Sequence, residues 1–479
     1  MFNVHTSIGI DISYFCDFTS EPHVSLVPDD ALTSTWRERI IHFSPSWFTV
    51  CMGTGAMSQV LVNFPYPYSG NTRWMRDLGY CFWILDIVLF ITFTTFSVIR
   101  YVRYPALLRI MLLEFPASSF LGAVPTTVNT IIVGLVFYYD YSETAAWVAF
   151  VLFWISVVLT IFTGVVLILI QMFQERLHTM NDVAGVWLMT AVPNVITAAA
   201  GAVILPYLYV INEKAAVSVL VVCFLLWGLG MSQIHMILAI YFWRLISKKT
   251  PSQRFILSGY MPIAALGQAS LAIYHMSIFF CDYLQKSRFV PTHSRTVSDQ
   301  TLAAIGEMIY WFGLLTALFL LAHASFWLVQ NTTAFIYAWP MPFNIGWWSF
   351  TFPFAAYTNG WAVVARDFRN EGMRGWAAML GVLCIIFWFY VATFTAYLGF
   401  WKGSMFYDPA LADWSVKEKE VDAAGGMAVQ DVVVERLEDE EAGIRKSVKR
   451  SLSDDSGFSS YSSGESLVDQ HGRDSSSRK

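Results

Sequence analysis

Residues 186–202 read VWLMTAVPNVITAAAGA, and residues 147–162, one apolar run earlier, read WVAFVLFWISVVLTIF. The first combines a proline with Thr190, Asn194, Thr197 and a series of alanines, and the second is almost wholly aliphatic and aromatic. The apolar runs they belong to, 186–211 and 144–172, are long enough to cross a bilayer core of about 30 Å as a helix, which takes about 20 apolar residues. They suit different surroundings. Proline inside a helix leaves a carbonyl without its donor, tolerable at membrane depth only against protein, hydroxyls or water. Small residues permit close helix approach, whereas bulky apolar side chains suit lipid.

The same contrast recurs along the chain. Runs with proline and small polar residues are 43–59 (FSPSWFTVCMGTGAMSQ), 117–130 (ASSFLGAVPTTVNT), 258–270 (SGYMPIAALGQAS) and 346–360 (GWWSFTFPFAAYTNG). Proline-free runs such as 384–394 (CIIFWFYVATF) alternate with them. Ten spans result, at 43–63, 79–100, 117–138, 144–172, 186–211, 216–246, 257–281, 301–329, 345–365 and 375–401. The expected fold is an all-α integral membrane protein with ten transmembrane helices, arranged as five helical hairpins around a central pore. Each hairpin gives an inner helix kinked at Pro45, Pro125, Pro193, Pro262 or Pro353, and a straight outer helix facing lipid. A tight small-residue core without a passage is the alternative packing.

Composition agrees with a lipid solvent. Of 479 residues 56% are hydrophobic and 14% charged, against about a quarter charged in ordinary soluble domains. From Asp408 to Lys479 sixteen acids face ten bases, a net charge of −6 against −5 for the whole chain, which leaves the rest close to neutral. Three domains are expected: a cytosolic N-terminal arm over 1–42, a transport domain over 43–401, and a disordered, acidic, serine-rich cytosolic tail over 402–479. Ser451 and Ser453 follow Lys449-Arg450 and read as substrates for a kinase. An even number of spans puts both termini on one side. Arg100, Arg103, Arg109, Arg244, Lys248 and Lys249 favour the cytosol for them, while Arg366, Arg369 and Arg374 oppose it. The sequon at Asn331 then lies inside, without a glycan. No basic patch suits nucleic acid, no nucleotide-binding loop is present, and six scattered cysteines suggest neither a metal site nor a disulfide framework. No cofactor is expected.

The proline-bearing spans contain no mid-span Lys, Arg, Asp or Glu, so a pore through them is neutral and suits a small anion held by oriented donors; an uncharged solute is the other option. Candidate lining residues are Thr54, Ser58, Thr126, Thr127, Asn129, Thr130, Asn194, Thr197, Gln268, Ser270, Ser349 and Thr351, each of which also suits an ordinary interhelical hydrogen bond. Phe350, Phe352 and Phe354 flank Pro353, where a hydrophobic constriction closes a narrow channel by excluding water. Asp86, in an outer span, is a candidate for proton coupling if it faces protein, or a partner for Arg73 or Arg76 at the interface. His235, His275 and His323 sit singly on different spans, which argues against a membrane enzyme; a receptor is a further alternative.

Segments 43–67, 122–130, 192–202, 239–251, 263–274 and 345–353 resemble the tellurite-resistance/dicarboxylate transporter family, which includes plant guard-cell slow anion channels, yeast malate permeases and fungal sulfite efflux pumps. The sulfite pump branch fits best. The resemblance implies ten helices in five hairpins, often a homotrimer with one pore per subunit, a plasma-membrane location, and sulfite or bisulfite as substrate, with a C4-dicarboxylate such as malate as the alternative. It also implies a pore-occluding phenylalanine in the ninth span, and the matching position is Phe352. In span seven four residues separate Pro262 from Gly267-Gln268 and no glycine immediately precedes the proline, whereas relatives commonly read Gly-Pro-x-Gly-Gln.

Overall fold

The computed structural model describes residues 36–66, 73–174, 178–287, 298–401 and 405. All regular structure among them is helical. In chain order the helices are α1 (Trp36–Ile41), α2 (Phe48–Val62), α3 (Arg73–Arg103), α4 (Pro105–Leu113), α5 (Phe115–Ser119), α6 (Ala123–Tyr138), α7 (Glu143–Ile161), α8 (Leu167–Phe173), α9 (Leu188–Ile211), α10 (Glu213–Lys248), α11 (Gln253–Ile256), α12 (Met261–Ser287), α13 (Asp299–Tyr337), α14 (Trp348–Phe368) and α15 (Glu371–Thr395). A π-helical segment, Phe162–Val166, joins α7 to α8.

Eight helical segments among the described residues are long and apolar enough to cross a membrane. Those built on α2 and α14 are not among them. α2 has 15 residues and α14 has 21, with mixed polarity.

The two helix populations separate by burial. Within the apolar core of Gly185–Ile211, 94% of residues are buried inside the protein, against 22% for Arg73–Arg103. The exposed side chains of the second kind are apolar: Val88, Ile91 and Val98 on α3, Val151 and Val158 on α7, Leu225 and Trp243 on α10, Phe312 and Phe319 on α13, Ile386 and Phe389 on α15. Such a surface suits acyl chains, since contiguous apolar patches of this size are rare on soluble monomers.

Helices α2, α6, α9, α12 and α14 pack in a closed ring, in that order, with α14 returning to α2. Each of α3, α7, α10, α13 and α15 lies outside, against its preceding inner helix and the next one round. Connectors of four residues (139–142), one (Asn212) and two (369–370) make α7, α10 and α15 double back on α6, α9 and α14. Four outer helices start on a side-chain cap followed by an acid: Ser142-Glu143, Asn212-Glu213, Ser298-Asp299 and Asn370-Glu371. In each, the capping oxygen accepts from the amide three residues on and the acid meets the positive end of the helix dipole. The inner helices start differently, each on a 3-10 turn: Pro45–Trp47, Phe120–Gly122, Gly185–Trp187, Leu257–Tyr260 and Ile345–Trp347. These turns contact one another around one end of the ring, with α5 bridging to Gly185–Trp187. All five inner N-termini therefore lie together.

The prolines distribute in two ways. Pro193 and Pro353 lie inside α9 and α14, as does Pro206. Pro45 opens its 3-10 turn, and Pro125 and Pro262 occupy the first turns of α6 and α12, following 3-10 turns. Near a helix start a missing N–H costs little, because the first amides have no intrahelical acceptor. These three mark the change from 3-10 to α winding rather than a mid-helix kink.

Residues 1–35 of the N-terminal arm, and the tail with Ser451 and Ser453, lie outside the described residues. Asn331 is buried within α13, its amide donating to the carbonyls of Gly259 and Trp327. It is shut off from any glycosylating enzyme, so the sequon carries no information about sidedness.

Candidate functional site

Inside the ring lies a cavity of about 30 Å³, walled by all five inner helices and by none of the outer ones. α2 contributes Gln59 and Asn63, one turn apart. α6 contributes Asn129, Thr130, Val133 and Phe137, and α9 contributes Ile196, Ala199, Ala200 and Val203. Gln268, Leu271 and His275 come from α12, Phe352 and Asn359 from α14. The wall holds five side-chain amides, one hydroxyl, the imidazole of His275 and hydrocarbon, with no Asp, Glu, Lys or Arg. The volume admits a water or two, too little for a hydrated anion.

Phe352 lies in the second turn of α14, near the 3-10 end, while Asn63 is the C-cap of α2. The cavity thus reaches from the Phe352 ring toward the opposite end of the bundle. One buried polar group on its wall is short of a partner. Asn63 donates to Asn359 Oδ1 at 3.3 Å, and Asn359 Nδ2 is buried without an acceptor. An unmet buried N–H is costly, and an anion oxygen would satisfy it.

Of the residues expected to line a passage, Asn129, Thr130, Gln268 and Phe352 meet at this cavity. The others are buried elsewhere. Thr54 donates to Val50 O at 2.7 Å and accepts from Trp388 Nε1 at 3.2 Å. Ser58 pairs with Tyr138 at 2.7 Å. Thr126 and Thr127 bond back to Gly122 O and Ala123 O on their own helix, as do Ser270 to Gly267 O and Thr351 to Trp348 O. Asn194 points outward: its Nδ2 donates to Gln233 Oε1 at 2.9 Å, and Gln233 donates to Gly164 O at 2.7 Å. Gly164 belongs to the π-helical segment, whose wider winding frees that carbonyl. Thr197 accepts from Asn129 and pairs with Thr160, behind the wall. Ser349 is buried outside the lining set.

Sequence reasoning did not single out Gln59, Asn63, Asn359 or, as a cavity residue, His275. A signal existed for two. Gln59 and Asn63 are four residues apart, on one helix face, just as Asn359 lies two turns beyond Phe352.

Asp86 is fully buried in α3 and faces α6, where its Oδ2 lies at hydrogen-bond distance, 2.7 Å, from Thr130 Oγ1. It thus lies one hydrogen bond behind the cavity. Arg76 instead donates to Phe137 O. Among the described residues no cluster of His, Cys, Asp or Glu is arranged to hold a metal, and the five described cysteines are free thiols.

Comparison with known proteins places this architecture. The family model described as SLAC1, voltage-dependent anion channel, matches residues 42–396. A sulfite efflux pump of Arthroderma benhamiae is 30% identical over 75% of this chain and 91% of its own length. One from Trichophyton rubrum is 30% identical over the same shares. A malic acid transport protein of Schizosaccharomyces pombe is 24% identical over 73% of this chain and 77% of its own. A match running from the first inner helix to the end of the last outer one means that this chain belongs to the SLAC1 family of voltage-dependent anion channels.

Proposed function

We propose that the chain exports sulfite or bisulfite from the cytosol across the plasma membrane, along the axis of the inner ring, and that Phe352 closes the way. The observation that carries the reading is the composition of the cavity wall: five helices contribute amides, including an unmet N–H on Asn359, with a hydroxyl, an imidazole and hydrocarbon but no Asp, Glu, Lys or Arg. Donors without fixed positive charge hold an anion weakly enough to release it, which conduction requires. The clustered N-termini of the inner helices add a favourable potential at one mouth, each dipole being equivalent to about half a positive charge there. The names of the fungal relatives favour sulfite.

Ten crossings, as five hairpins, are the reading most consistent with the closed ring. α2 with its 3-10 turn covers 45–62, about 27 Å at 1.5 Å per residue. A helix enclosed by others need not be as apolar as one facing lipid. Both termini are then cytosolic, on the side of the 3-10 turns, where Arg100 and Arg244 end α3 and α10. The broad apolar outer faces suit lipid and a homotrimer in which each subunit keeps its own pore. Phosphorylation of Ser451 and Ser453 by a kinase is proposed for the tail.

A malate permease is the second reading, favoured by the malic acid relative. A dianion of that size calls for an Arg or Lys on the wall, and there is none. The test is anion flux into vesicles containing the purified protein, with sulfite, malate, nitrate and chloride compared. Sulfite should exceed malate by about tenfold, a difference of about 1.4 kcal/mol; malate moving as fast as sulfite, or no flux of any anion, contradicts the proposal.

A further inference from the structure

The proton count around Thr130 has a consequence for Asp86. Thr130 Oγ1 lies 2.7 Å from Asp86 Oδ2 and 2.7 Å from the carbonyl of Thr127. A hydroxyl carries one proton, and a carboxylate and a carbonyl only accept. Both short contacts are satisfied together when the second proton sits on Asp86: its O–H donates to Thr130, and Thr130 donates to Thr127 O. Remove that proton and Thr130 must turn to the carboxylate, giving up the carbonyl. The other carboxyl oxygen, Oδ1, is buried without a partner in either case.

Nothing nearby compensates a charge on Asp86. Among the described residues no salt bridge reaches it. The two arginines of α3 that bracket it are engaged elsewhere, Arg76 on Phe137 O and Arg100 on Phe43 O. α2 presents the thiol of Cys51 and the bare backbone of Gly55, where an added methyl would run into both Asp86 Oδ2 and Thr130 Oγ1. α6 presents Thr130, and α15 meets this part of α3 through Trp388 and Phe389, whose rings pack on Phe82. α1 and α4 flank the distant end of α3, where Arg37 bonds Tyr104. An isolated buried carboxylate is strongly disfavoured. An anion in the cavity disfavours it further, because the two like charges would be separated only by Thr130.

We propose that Asp86 is the proton-binding residue of this transporter, and that proton binding there and anion occupancy of the cavity favour each other. The step balances through Thr130. Its hydroxyl passes a proton to a water or anion oxygen in the cavity and takes the proton of Asp86, whose O–H bonding pair remains on the carboxylate; the reverse sequence reloads it. Linkage is reciprocal: whatever factor the anion adds to proton affinity, the proton adds to anion affinity. The inference rests on the cavity being the anion pathway.

Two measurements on the full chain in vesicles test it. The first is sulfite flux of the wild type against Asp86→Asn, which keeps the neutral shape; their ratio at each pH cancels the protonation of sulfite itself. From pH 6 to 8 the ratio of wild type to variant should fall by about fivefold, the lower end of common coupling factors. Thr130→Val should slow the wild-type flux while Thr130→Ser restores it. The second is an infrared titration of the protonated-carboxyl band that is lost in Asp86→Asn, which needs no transport. That band should vanish as pH rises, at a higher pH with sulfite present than without. A flat flux ratio together with a band unmoved by sulfite overturns the proposal. If no anion is transported at all, the pathway reading fails, and the infrared band alone decides whether Asp86 exchanges protons: a titrating band supports the assignment and a fixed one ends it.

Discussion

The rings of Phe350 and Phe354 stack with centroids 4.0 Å apart and an interplanar angle of 24°. Both also pack on Tyr260, and Phe350 on Phe387. Two residues from either, or about 200° round the helix, Phe352 faces the cavity instead. The three phenylalanines beside Pro353 therefore have different surroundings. With the pathway proposed above, Phe352→Ala should raise anion flux by tenfold or more, since it removes the ring from the cavity wall. Phe354→Ala should leave flux within about twofold but lower the melting temperature, because a buried Phe→Ala costs about 3–5 kcal/mol. Flux assays and thermal unfolding on the same preparations separate the two.

Asn129, Thr197, Ser156 and Thr160 tie α6, α9 and α7 together through contacts of 2.8–3.2 Å. Thr197→Val leaves Asn129 Nδ2 and its neighbours without that partner and should destabilise the protein by about 1–3 kcal/mol. Ser349→Ala, at a buried residue outside such a network, should cost less than Thr197→Val, by about 1 kcal/mol or more. Denaturation in detergent compares them.

A methyl at Gly122 would lie 2.0 Å from the carbonyl oxygen of Met189, where the 3-10 turn before α6 crosses α9. Backbone cannot yield there as a side chain can, so Gly122→Ala should give little folded protein. Gly228, on outer helix α10, has nothing within 4 Å of the added carbon. Gly228→Ala should stabilise by about 0.5–1 kcal/mol, the helix-propensity difference. Yield and melting temperature report both.

The alternation of two helix kinds was legible because proline, Ser, Thr and Gly against bulky apolar residues is a statement about what solvates a helix. It anticipated the burial of α9 and the exposed faces of α3 and α7. Individual polar side chains were less legible. A Thr in a helix bonds its own carbonyl four residues back as readily as it faces a cavity, and Thr126 and Thr127 do the former. Asn194 was drawn away by the π-helical carbonyl of Gly164, a winding change with no signal in composition. The shortness of α2 follows from a 3-10 turn that uses up its first residues.

Asn359 offers a further separation of stability from transport. Its Nδ2 is a buried donor without an acceptor, so Asn359→Leu gives up one weak bond to Asn63 and relieves an unmet group. Stability should change by less than about 1 kcal/mol, while sulfite flux should drop about tenfold through loss of an anion ligand. Unchanged flux with unchanged stability removes Asn359 from the pathway.

The central claim is that anions cross through the cavity inside the ring, and filling that cavity tests it most directly. Ala199 is on its wall and Val221 is exposed on the outer face of α10. Ala199→Leu puts a branched four-carbon side chain where the cavity wall has a methyl, whereas Val221→Leu only extends into lipid. With both variants folded by melting temperature and elution, sulfite flux into vesicles should fall to background for Ala199→Leu and stay at the wild-type rate for Val221→Leu. Wild-type flux through a folded Ala199→Leu protein would contradict the account.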